Sequence, residues 1–175
     1  MPLTEVGREQ AGRRGRAWLA DGVRFDCIVA SPLLRARETA EIIGTLLNLP
    51  VEIDPDWQER DNGMLAGLSR ADAAMRYPRP CFRNPYEPMC QTGESETQVY
   101  GRAARALEKL IRRAAGHSLI VAHGNILNAA MRNIAGALLS INDQGIWFTF
   151  GDTGYARTSY EPACHRWFLH EFHSE

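Results

Sequence analysis

Lysine is almost missing from this chain: of the 20 basic residues, only Lys109 is a lysine. Any contact with an anion therefore falls to arginine, whose planar fork matches phosphate and carboxylate oxygens better than an ammonium does. Genome composition accounts for the bias equally well. Net charge is also missing. A formal charge of -1 over 175 residues gives no field to draw the chain to nucleic acid or to a membrane surface. Cys27, Cys81, Cys90 and Cys164 show no CxxC or zinc-like spacing, which predicts reduced thiols, no metal and a cytoplasmic location. No apolar run approaches the roughly 20 residues of a membrane span, and internal repeats and low-complexity tracts are absent. What is present is an ordinary globular composition, 45% apolar and 23% charged, at a length that buries one core. The expectation is a single domain over 1–175.

The stretch that organises the rest is Ser118-Leu119-Ile120-Val121-Ala122-His123-Gly124-Asn125. Its apolar run predicts a buried strand covered on both faces. It ends in a titratable residue and a glycine, and an Ala-rich helical pattern follows from Ile126 to Ala135. Open α/β sheets place their ligands at the carboxyl ends of such strands. Gly124 lets the backbone approach a ligand, and the helix N-terminus offers N–H groups to an anion. A core histidine bonded to a carbonyl is the alternative reading of His123 taken by itself.

In chain order, Thr4 caps a helix reaching about Leu19, whose polar face carries Arg8, Arg13, Arg14 and Arg16. Phe25 to Ala30 is predicted as a strand running into a helix that starts at Ser31-Pro32 and lasts to about Leu47. Val51 to Ile53 is a short strand. Trp57 to Leu68 is a Gly-punctuated loop feeding a helix from about Ser69 to Tyr77. Residues 78–93, with Pro78, Pro80, Pro85 and Pro88, have no periodicity and are expected to form a flap over the site. Ser95 with Gln98 has capping-box spacing at the head of an amphipathic helix to about Ala115. Three β-like runs close the chain: Ile146 to Phe150, Tyr155 to Tyr160 and Arg166 to Phe172, the last two as a hairpin. Alternating strands and helices predict an α/β fold with a parallel sheet and helices on both sides.

Five patterns in order carry a resemblance. They are Leu3-Thr4-x-x-Gly7-x-x-Gln10-Ala11, Ser31-x-Leu33-x-Arg35-Ala36-x-x-Thr39-Ala40, Glu59-Arg60-x-x-Gly63-x-Leu65-x-Gly67-Leu68, Gly93-Glu94-Ser95 and Ala122-His123-Gly124-Asn125. Together they resemble the histidine phosphatase superfamily, with its phosphoglycerate mutase-like fold, over nearly the whole chain. The resemblance implies a three-layer α/β/α sandwich with a mostly parallel central sheet. It also implies an Arg-His-Gly strand carrying a phosphate-accepting histidine, and that triplet does not occur in these 175 residues. The chain therefore reads as lacking the first strand, truncated before that motif and inactive as written.

By the same resemblance Arg35, Glu59 and His123 are the catalytic residues. Arg35 grips phosphate oxygens bidentately. His123 donates to an equatorial oxygen and stabilises transition-state charge. Glu59 protonates the leaving alkoxide, which requires a carboxyl held in its acid form by partial burial. Gly124 and Asn125 complete the phosphate site. In the flap, Arg79, Arg83 and Tyr86 are either contacts for the rest of a phosphorylated metabolite or solvated side chains. No cofactor is expected, and the partner is a small phosphorylated metabolite rather than nucleic acid or membrane. The reading favours a phosphomonoesterase working through a phosphohistidine, with a phosphoglycerate mutase-type transferase and a catalytically dead binding relative as alternatives. Arg35, Glu59 and His123 are expected to converge on one concave, electropositive site at the carboxyl edge of the sheet. The sheet is expected to keep a slot beside residues 119–122, and the chain to be unstable or to associate as a homo-oligomer.

Overall fold

Two apolar runs, Cys-Ile-Val-Ala and Ser-Leu-Ile-Val, pair side by side as β1 (Cys27–Ala30) and β3 (Ser118–Val121). The shorter β2 (Val51–Ile53) pairs with the other edge of β1, giving a parallel sheet in the order β2-β1-β3. Ile28 lies level with Val51 and Leu119, and Ala30 with Ile53 and Val121. The computed structural model describes residues 1–78, 80–113, 116–139, 142 and 144–174; Arg79 and Ala115 lie outside them.

Strand periodicity then sorts the core into two halves. Ile28 and Ala30 face one side, where they pack with Trp18 of α1 (Glu5–Ala20) and with Ala40 and Ile43 of α2 (Leu34–Leu47). Val29 faces the other, against Val99, Ala103, Ala106 and Leu107 of α4 (Glu96–Ile111) and Ile126, Ala129 and Ala130 of α5 (Gly124–Ile134). Leu119 and Val121 join the first half, and Ile120 and Ala122 the second. The result is a mixed α/β architecture of three layers, as expected. Between β2 and α4 lie three single 3-10 turns and the short α3 (Arg70–Arg76). Both expected caps are present. Thr4 Oγ1 accepts from the Gly7 N–H, and Ser95 and Gln98 bond each other's backbone N–H groups.

Four expectations are corrected. β1 begins at Cys27 rather than Phe25, because Asp26 leaves the ladder to clamp His117, donating its N–H to the His117 carbonyl and accepting the His117 N–H. α2 begins at Leu34 rather than Ser31, because the Ser31 N–H still bonds the Val121 carbonyl and continues the sheet. β3 is only half-buried and Ser118 is exposed, because among the described residues β3 pairs with β1 alone. The slot expected beside residues 119–122 was to have a further strand on its far side; among the described residues β3 is instead the edge of the sheet.

Finally, Ile146 to Phe150 is extended but joins no ladder. The Asn128 side chain takes both the N–H and the carbonyl of Phe148, at 2.7 Å each, so the groups a neighbouring strand would use are already satisfied. The hairpin of β4 (Tyr155–Glu161) and β5 (Arg166–His173) forms as expected, antiparallel, with a bulge between Arg157 and Thr158. It makes its own two-stranded sheet. Tyr155 ties it to the main core by an edge-to-face contact with Trp18 at 5.6 Å. No described helix is long and apolar enough to cross a membrane.

Trp57, 2% exposed, is a large aromatic in a half of the core otherwise filled mostly by alanines and branched residues. Alanine helices cannot close over the space it would leave. Trp57→Ala should cost about 3–5 kcal/mol in urea unfolding. Met75→Ala, at an exposed position of α3, should stay within about 0.5 kcal/mol.

Candidate active site

Because β1 and β3 run parallel and in register, both chains leave the sheet at the same edge. Ser31 follows β1 and His123 follows β3. The two side chains meet there, with His123 Nε2 2.8 Å from Ser31 Oγ across 92 residues of sequence. Both are buried, Ser31 completely and His123 to 7% exposure. His123 is the residue before α5, in extended conformation.

Glu59 arrives from the loop after the Trp57 turn. Its carboxylate faces the first turn of α5, accepting from the backbone N–H groups of Asn125 and Ile126 at 3.3 Å each, and also from the Arg60 N–H at 2.8 Å. The helix N-terminus, expected to offer these N–H groups to a ligand, presents two of them to Glu59 instead. A carboxylate is the anion that a helix N-terminus favours. The loop is anchored from behind. Arg102 of α4 holds both Glu94 oxygens and donates to the carbonyls of Asp56 and Gln58. The Glu94 backbone N–H donates to the Asp61 carbonyl at 2.9 Å. Two glycines permit this crossing. Gly63 has φ +55, and a Cβ on Gly93 would stand 2.4 Å from the Asp61 carbonyl oxygen.

Arg35 sits in the first turn of α2, next to where Ser31 leaves the sheet, and is exposed. A cation at a helix N-terminus opposes the dipole, by roughly 0.3–1 kcal/mol. Nearby Arg37 and Arg8 pair with Glu41 and Glu38, but the Arg35 guanidinium has no ion pair among the described residues. Its charge nevertheless reaches His123. Burial, reinforced by Arg35 and opposed by Glu59, pushes the His123 pKa down from 6.5 to about 4. The imidazole is neutral at physiological pH, and the charges of Arg35 and Glu59 both act on it.

Arg35, Glu59 and His123 thus converge at the carboxyl edge of the sheet. Gly124 is exposed there, with nothing within 4 Å of where a Cβ would lie, and Asn125 is half-buried beside it. The expected substrate contacts of the flap are not drawn in to the same degree. Arg83 places Nη2 3.2 Å from the Met89 sulfur, its carbonyl accepts from the Asn142 N–H, and Tyr86 is 71% exposed. Arg79 lies outside the described residues. Two clefts among the described residues lie elsewhere. One of about 570 Å³ is lined by Gln10, Arg13, Arg14 and Gly151 to Thr153, and the other flanks the end of α2. Neither of these hollows is lined by Arg35, Glu59 or His123.

Sequence reasoning passed over Ser31, Asn128 and the Arg102–Glu94 pair. The buried polar pair of serine and histidine has no local signature, since its members are joined only by the sheet register. Asn128, a polar residue within an Ala-rich helical run and only 2% exposed, was the one visible signal.

A three-layer α/β protein that gathers an arginine, a neutral histidine and a carboxylate at the carboxyl edge of parallel strands has the parts of an oxyanion-handling site. The chain belongs to the histidine phosphatase superfamily, branch 1, whose family model matches residues 1–168. It is 35% identical over 136 residues to the uncharacterised phosphatase PhoE of Bacillus subtilis, covering 78% of this chain and 66% of that one. It is 36% identical over 143 residues to the 2,3-bisphosphoglycerate-dependent phosphoglycerate mutase of a Methylobacterium species, covering 77% and 69%. The chain thus spans about two thirds of the length of these curated relatives. Its fold superposes on a mycobacterial glucosyl-3-phosphoglycerate phosphatase with a TM-score of 0.80 at 21% identity, over 99% of this chain and 88% of that one.

The lowered pKa of His123 has a consequence for stability. The unfolded chain protonates this imidazole near 6.5 and the folded chain only near 4. Between those values the unfolded state binds more protons, so stability falls as pH is lowered and the effect levels off below about 4. The slope from this group is at most about 1.4 kcal/mol per pH unit. Urea unfolding at pH 7 and pH 5 should show a larger loss for the wild-type chain than for His123→Gln. An NMR titration should find the His123 ring neutral well below pH 6.

Proposed function

We propose that this chain belongs to a phosphomonoesterase that moves the phosphoryl group of a small phosphorylated metabolite to a histidine and then to water. The observation that carries the reading is the meeting of Arg35, Glu59 and His123 at one sheet edge, with the Arg35 guanidinium unpaired among the described residues and its charge acting on a neutral imidazole. Phosphoryl transfer needs little covalent chemistry from the protein beyond the nucleophile. It needs charge neutralisation and alignment. Arg35 supplies a forked contact to two phosphate oxygens, and His123 a donor to a third. Glu59 passes a proton to the leaving alkoxide after taking one up, against the three backbone N–H contacts that favour its charged form. Gly124 leaves the backbone open to the ligand, and Asn125 and Arg83 contact its periphery. The phosphate-accepting histidine is not among these 175 residues, which hold no Arg-His-Gly triplet.

A mutase-type transferase is the second reading, favoured by the form of the Glu59 motif and by the Methylobacterium relative, which is named as a phosphoglycerate mutase. The two differ in whether water or a second phosphorylated molecule takes the phosphoryl group.

The purified chain should hydrolyse no aryl phosphate above background, because the surviving side chains stabilise charge without forming a phosphoenzyme. It should still bind vanadate weakly, and Arg35→Ala should weaken that binding roughly 10–100-fold, the worth of a charged bidentate contact. Isothermal titration and a colorimetric phosphate assay check both. Turnover that is lost in His123→Ala would show another nucleophile at work and contradict this assignment.

A further inference from the structure

The Ser31–His123 bond decides which nitrogen of the imidazole carries the proton. Ser31 Oγ has two contacts among the described residues: it accepts from the Leu33 N–H at 3.2 Å and lies 2.8 Å from His123 Nε2. The Leu33 contact uses an oxygen lone pair and leaves the hydroxyl proton to be placed. If Nε2 carried the ring proton and donated to Oγ, the serine O–H would have no acceptor at a residue that is completely buried. A buried donor left unsatisfied is a costly arrangement. If instead the serine O–H donates to Nε2, both groups are satisfied and the ring proton sits on Nδ1. The neutral ring allows either tautomer, so this hydrogen bond is free to choose.

Nδ1 is the ring nitrogen that remains. It has no hydrogen-bond partner among the described residues, and it is not one of the buried polar atoms left enclosed without one. We propose that Ser31 is a positioning residue that locks neutral His123 in the Nδ1–H tautomer, so that Nδ1 is a fixed donor aimed at a phosphate oxygen. The tautomer itself follows from the hydrogen-bond geometry, while its use on phosphate rests on the functional reading above. A neutral imidazole with the proton on the wrong nitrogen would turn a lone pair toward the oxyanion. Ser31 removes that state. It does so from the same turn that starts α2 and carries Arg35, so that both phosphate contacts are set from one segment.

The test is ¹⁵N NMR of the histidine ring nitrogens in the full 175-residue chain at pH 7, without ligand. The expected result is a pyrrole-type Nδ1 and a pyridine-type Nε2 for His123 in the wild-type chain. Ser31→Thr should keep that pattern, and Ser31→Ala should lose it, moving toward the Nε2–H form or a mixture. Vanadate affinity should fall about 5–30-fold in Ser31→Ala, a loss of 1–2 kcal/mol, and be largely restored in Ser31→Thr. A wild-type spectrum with the proton on Nε2 overturns the inference, and so does an unchanged tautomer in Ser31→Ala. The wild-type spectrum decides even where the alanine variant does not fold. Absence of vanadate binding to a wild-type chain that shows the Nδ1–H form would defeat the phosphate reading while leaving the tautomer assignment in place.

Discussion

Everything at the candidate site depends on the register of one strand pair. β1 and β3 run parallel with Ala30 level with Val121, so the residues that leave the sheet next in each strand come out side by side. That is how a serine and a histidine separated by 92 positions share a hydrogen bond in the core. The pairing tolerates no slip. Shifting one strand by a residue would turn Ile28 and Ala30 toward the wrong pair of helices and carry His123 away from Ser31. The fold therefore protects the site with the same interaction that protects its core. Alternate residues of β1 belong to two different hydrophobic clusters, and both would be broken together.

Around that fixed point the electrostatics are arranged in opposition. Arg35 brings positive charge to the first turn of α2, where the helix dipole resists it, and Glu59 brings negative charge to the first turn of α5, where the dipole welcomes it. His123 lies under the influence of both and, being buried, stays uncharged. An uncharged ring beside an exposed guanidinium can accept a dianionic ligand without competing for its proton. A protonated histidine locked to Glu59 would have been a quieter ion pair and a poorer oxyanion partner. The distribution of charge suits a ligand better than it suits the empty protein. Such local conflict is where binding and chemistry are usually found.

Much of this is legible in the sequence itself. Helix caps are local and chemical, so Thr4 and the Ser95–Gln98 box could be read from spacing alone. The parallel strands showed as short apolar runs between helical patterns, and the family motifs placed Arg35, Glu59 and His123 in one constellation. What could not be read was set by tertiary partners. Ile146 to Phe150 has strand composition, yet Asn128 of α5 has taken the backbone of Phe148. The run at 119–122 has the composition of a fully covered strand, yet its burial depends on what pairs with its second edge. The Glu59 carboxylate caps a helix 66 residues away, and no local pattern announces a cap supplied from that distance. The role of Ser31 was hidden for the same reason, since Ser31-Pro32 reads as the start of a helix until the strand beside it is known.

The central claim is that these residues form a single oxyanion site at the carboxyl edge of the sheet. A crystal structure of the chain grown with vanadate addresses it most directly. The account predicts one oxyanion with two oxygens against the Arg35 guanidinium and a third within hydrogen-bond distance of His123 Nδ1, close over Gly124. An oxyanion seated instead in the cleft lined by Arg13 and Arg14, with the edge at His123 empty, would contradict it.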